Sequence, residues 1–221
     1  LGNLGFVAGM QGNISAAYLH HENSLFVARE IGNLNLETYT LINLSAVAGL
    51  QKEAGQALKF SKQAEELSRK IHDRSAEAWS LLYMGHAHLL VAECADARKA
   101  YQKSIIIRNE LGQSTLVMEP IAGLVETALC MNDLEAAARE TEKIMAYLDA
   151  GGSLDGSDQP LRVYYACYQF LDQQKDPRAQ QVLQIANQML ASQVSKLKDE
   201  RSRQMFIENF PWRWALYNAG R

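Results

Sequence analysis

The residues best suited to chemistry are few, and their spacing does not serve it. "GGSLDG", Gly151 to Gly156, has the glycines of a phosphate-cradling turn but lacks the lysine and the preceding strand, so it reads as a loop. His20 and His21 are adjacent, which on a helix turns them about 100° apart. His86 and His88 are two apart and also diverge, so neither pair can share a metal in the usual way. Asp155 and Asp158 lack the full calcium-loop pattern and read as solvated turn carboxylates. Cys94, Cys130 and Cys167 are odd in number, form no CxxC and lie in apolar helical contexts. They read as small buried hydrophobes in a reducing compartment, not as a disulfide framework or zinc site. No Ser/His/Asp or Cys/His set is recognisable. The chain therefore reads as non-enzymatic, with no catalytic residue, no cofactor and no metal site.

Composition narrows the class. The net charge of −3 over 221 residues gives no basic excess for direct nucleic-acid binding. Only four prolines occur and good helix formers dominate, so an all-α protein is expected. No apolar run reaches about 18 residues, so no membrane span is predicted and the expected location is the cytoplasm. The N-terminus, "LGNLGFVAGMQGN", has neither a basic leader nor an initiator methionine and reads as a cut into a longer chain.

Internal repetition is the strongest signal. With a step of 40 residues, Leu1, Leu41, Leu81 and Ile121 form one column. Leu4, Leu44, Met84 and Leu124 form a second; Gly5, Ser45, Gly85 and Val125 a third; Ala8, Ala48, His88 and Ala128 a fourth. Spacings of three and four place them on one helix face. The second half of the unit has an alanine in every copy, Ala17, Ala57, Ala97 and Ala137. A small side chain is needed where antiparallel helices cross closely, and the Gly5/Ser45/Gly85 column is the expected counterpart. Val125 breaks that column and predicts a slightly splayed fourth hairpin. Gly32 and Gly112 stand where a helix end takes a left-handed residue.

The units run over about 1–34, 35–73, 74–113, 114–150 and 159–196, as one repeat domain. The fifth is displaced by the loop "GGSLDGSDQP". A closing segment over 199–221 is expected as a capping helix that Pro211 stops.

These columns resemble the tetratricopeptide repeat. They are similar to its long form of about 40 residues on bacterial signalling proteins, whereas the usual repeat has about 34. Tyr101 fits the family's aromatic position, and His21, Ser61 and Thr141 depart from it. "RSRQMFIENFPWRWAL" resembles the closing segment of arrays on bacterial STAND-type ATPases and adenylate-cyclase-linked regulators, through Arg203, Phe206, Asn209, Pro211 and Arg213. The resemblance implies a right-handed superhelix of helical hairpins, about five repeats plus a cap, with first helices on the concave side. It further implies a module that senses a ligand or partner for an attached effector domain.

In that register the groove candidates are Phe6, Tyr39, Ile42, Trp79, Leu82, His86, Glu119, Glu126, Arg162 and Tyr165. An aromatic, mildly polar stripe of this kind suits a peptide, a helix or another domain of the parent chain. Two other readings stay open. One is an oligomerisation scaffold, a homodimer through Leu1, Leu4 and Val7. The other is a small-molecule effector pocket near Trp79 and His86. "WRWALY", Trp212 to Tyr217, is expected to cap the last apolar face.

Overall fold

Helices of one length and turns of one length generate the fold. The computed structural model describes residues 2–220; Leu1 and Arg221 lie outside the described residues. The helices are α1 (Gly2–Met10), α2 (Ile14–Glu30), α3 (Leu34–Leu50), α4 (Ala54–Lys70), α5 (Arg74–Leu90), α6 (Cys94–Glu110), α7 (Ser114–Cys130), α8 (Leu134–Asp149), α9 (Pro160–Gln173), α10 (Arg178–Val194), α11 (Glu200–Glu208) and α12 (Pro211–Ala219). Among the described residues there is no strand, and the all-α class stands. From α2 to α7 every helix has 17 residues. Each is followed by a three-residue turn, so the forty-residue unit is two half-steps of twenty.

The turns explain the regularity. After each helix one residue takes a positive φ, at Gly12, Gly32, Lys52, His72, Ala92, Gly112 and Asn132. The next residue reaches back to a carbonyl five residues earlier, as Asn33 N–H does to Ala28, Asp73 to Ser68 and Asp133 to Ala128. Together with Gly32 N–H donating to the Arg29 carbonyl, this satisfies the orphan carbonyls of the helix end. The same residue then opens the following helix. Asn13, Asn33, Asp73 and Asp133 accept through their side chains from the N–H of Ala16, Leu36, Ala76 and Ala136. At these four turns one residue thus closes one helix and caps the next, whereas Glu53, Glu93 and Gln113 open α4, α6 and α7 without a side-chain cap.

The chain folds as two compact units, residues 1–111 and 112–221. In the first, α1 packs on α2, α3 on α2 and α4, and α5 on α4 and α6. First helices also touch, α1 with α3 and α3 with α5, while α2, α4 and α6 make no comparable contact with one another. The three first helices therefore share one side of that unit. In the second unit α7 packs on α8 and α9, and α9 on α10. The α7–α8 hairpin is packed less extensively than α3–α4 and α5–α6.

Alanine occupies the fourth position of α2, α4, α6 and α8, and Ala17, Ala57, Ala97 and Ala137 are all buried. Ala57 packs with Ala48 of its own hairpin and Ala87 of the next. The glycine column works differently from the expectation. A Cβ on Gly5 would come within 2.7 Å of the His21 ring, and one on Gly85 within 2.5 Å of the Tyr101 ring. Those glycines make room for the aromatic column, and the alanines do not face them alone. Where the ring is replaced by Ser61, the first helix carries Ser45, whose hydroxyl donates to the Ala57 carbonyl. Size is exchanged across the hairpin.

A further expectation is corrected. The closing segment is a pair of helices, because Pro211 fills the first position of α12, where its missing N–H costs nothing. Pro211 thus begins a helix and does not merely stop one. Cys167 is free and buried, and burial pushes its thiol up to about 12. Among the described residues no helix is long and apolar enough to cross a membrane.

Candidate interaction surface

The open face of the first unit is a helical stripe. Trp79, His86 and Leu90 face outward along α5 with the buried Tyr83 in the same register between them, and Tyr39, Asn43, Ala46 and Leu50 stand at the matching positions of α3. Leu90 lies against α3, 3.9 Å from where a Cβ on Gly49 would sit. Trp79 and His86 are half-buried and Tyr39 is exposed.

The rings are fixed from behind. Trp79 and Tyr83 stack with centroids 6.3 Å apart, and Tyr83 meets His86 edge-on at 5.6 Å. His86 Nδ1 lies 2.6 Å from the Tyr101 hydroxyl, the tyrosine that Gly85 accommodates. Arg108 of α6 is fully buried, with its guanidinium 4.2 Å from the Trp79 ring centroid. A cation held under an indole face both attracts the ring and limits its rotation. Tyr39 donates from its hydroxyl to Asp73, the residue capping α5, at 3.0 Å. Burial and the Asp73 bond raise the Tyr39 pKa, with the Arg108 charge opposing them. Tyr39 stays neutral in any ordinary buffer.

Of the sequence candidates in this unit, Tyr39, Trp79 and His86 fall on that stripe. Phe6 is exposed at the equivalent step of α1. Ile42 and Leu82 are buried and belong to the packing between helices, where they cannot meet a partner. They sit one residue from the open face, and one residue is about 100° of helix.

The second unit uses its candidates internally. Glu126 receives a two-pronged bond from Arg162 at 3.1 and 2.6 Å, and the same guanidinium lies 5.0 Å from the Trp212 ring centroid. Glu119 is buried and accepts from the backbone N–H groups of Asp158 and Gln159, fixing the loop that enters α9. Tyr165 is half-buried and accepts from the Gln169 amide. Burial and the Glu126 charge raise its pKa. The tail residues are likewise structural. Arg213 is buried between the Phe206 and Phe210 rings, 4.0 and 3.6 Å from their centroids, and donates to the Phe206 carbonyl. Trp212 and Leu216 are buried where α12 packs on α9 and α10, whereas Trp214 is exposed. The tail closes the apolar face of the last hairpin.

Sequence reasoning missed Tyr83, Tyr101 and Arg108 as the buried supports of the stripe. Arg108 had a signal, since Ala28 and Ser68 hold its place in the earlier units and a large cation in a small column is anomalous. A polar cleft of about 400 Å³ opens elsewhere in the unit beside Ser68, Arg69, His72, Arg74 and Glu77. Its arginines are engaged: Glu77 bonds Arg69 at 2.9 Å and Arg74 at 2.5 Å, and Arg74 also bonds Glu110. The histidine pairs diverge as expected, with His86 on Tyr101, His88 2.7 Å from Glu93, and His21 buried away from the half-exposed His20.

No protein-family model matches the chain, and no curated protein matches it at a significant level.

Proposed function

We propose that the chain is a non-enzymatic interaction module that holds a peptide or helix against the α3–α5 face of its first unit. The observation that carries this reading is the Trp79 stripe. Large rings are left half-open to solvent yet are locked by buried groups, Arg108 beneath Trp79 and Tyr101 beneath His86. Rings fixed before binding lose little entropy on contact, which is why rigid aromatic anchors dominate interface energetics. The tetratricopeptide-like register supports the same reading, as does its implied setting in a cytoplasmic bacterial signalling or transcriptional regulator, where the partner is a protein segment or another domain of the parent chain.

Peptides selected from a displayed random library against the whole chain provide the test. Trp79→Ala is expected to weaken the selected peptides by at least about tenfold, a loss of roughly 1.4 kcal/mol. Phe26→Ala, on the exposed side of α2, is expected to leave them unchanged. Circular dichroism checks that both variants keep their helicity. Peptides that bind the Trp79 variant with undiminished affinity would refute the assignment.

A further inference from the structure

A second surface follows from comparing the repeats with one another. Helix α3 is sandwiched between α2 and α4, and α5 between α4 and α6, while α1 packs on α2 and touches α3. Leu44 and Val47 of α3 are consequently 0% and 5% exposed, and Met84 and Ala87 of α5 are 9% and 1%. Leu4 and Val7, at the same steps of α1, are 57% and 51% exposed. The residue types match those of α3, and α1 carries no charged side chain. An uncharged apolar face of this shape is covered in both other copies.

What covers it there is of one kind. On α3 it is α2, which brings Leu25 into the cluster of Leu41 and Leu44 and sets the Ser24 hydroxyl 3.3 Å from that of Thr40. On α5 it is α4, which brings Ala64 against Ala76 and Tyr83. Both are amphipathic helices whose inner ridge mixes small residues with leucine or phenylalanine. We infer that the outer face of α1 is a docking site for an amphipathic helix of this chemistry, extending the α2–α3 and α4–α5 interfaces by one step. The site is separate from the Trp79 stripe, and either assignment can fail alone.

A peptide copying residues 14–33, the helix that covers α3, is the probe. It is added at about 1 mM to the whole chain, and amide hydrogen exchange is followed. Exchange over Leu4 to Met10 is expected to slow about tenfold, as for a ligand at roughly ten times its Kd. The slowing is expected to vanish in Leu4→Asp and in Val7→Asp, both surface changes, and to persist in Trp79→Ala. Absence of slowing overturns the inference, as does slowing that survives both aspartates or equal slowing by a scrambled peptide. Protection of α1 that appears without peptide and grows with protein concentration also overturns it, because a second copy would then be the occupant.

Discussion

Gly85 and Tyr101 set how closely α5 approaches α6, and the contact admits no carbon between them. Gly85→Ala is expected to destabilise the protein by about 1–3 kcal/mol, read by urea denaturation, because the ring is held by His86 and cannot retreat freely. The α1–α2 hairpin has the same arrangement with a titratable ring. His21 is 2% exposed, packed under Gly5, and burial lowers its pKa from 6.5 to about 4, with His20 adding to the effect. Between those values the unfolded chain carries a proton on this residue that the folded chain does not. Its contribution is therefore intact above pH 6.5 and is lost as pH falls toward 4, by roughly 3 kcal/mol at most. His21→Tyr, which copies the Tyr101 arrangement, is expected to remove that acid-side slope from a series of denaturation curves. An unchanged slope would place its origin elsewhere.

At the scale of elements, the twenty-residue half-step is built from local chemistry. A helix ends on a left-handed residue, and where the residue after it is asparagine or aspartate its side chain caps the next helix. Where the left-handed position is Gly32 or Gly112 the backbone is at ease, and where it is Ala92, at φ 56°, it is strained. Ala92→Gly is expected to raise stability by about 0.5–1 kcal/mol in thermal denaturation, and a loss would contradict the account of the turns. These turns were only half legible in the sequence. Glycine marks three of the seven positive-φ positions from Gly12 to Asn132, and lysine, histidine, alanine and asparagine fill the rest because hydrogen bonding on both sides holds them there. Pro211 was misread for a similar reason: proline signals a boundary but not on which side of it the helix lies.

At the scale of the whole molecule, the forty-residue ladder was legible because constant helix and turn lengths keep equivalent residues at equal steps. The buried alanines at 17, 57, 97 and 137 are its clearest product. The functional face was harder to read. A helix turns about 100° per residue, so candidates one position apart fall on different faces, as Ile42 and Leu82 do beside the Trp79 stripe. The supporting groups Tyr101 and Arg108 come from a helix 15 to 29 residues away, at a distance no local pattern encodes. The central claim is that Trp79 is the anchor of the binding face, and the indole N–H resonances of Trp79, Trp212 and Trp214 test it directly. Each is assigned by substitution and followed by NMR while a selected peptide is titrated. The Trp79 resonance is predicted to shift in step with binding while that of the exposed Trp214 stays in place. Saturation of the peptide with Trp79 unmoved would contradict the account.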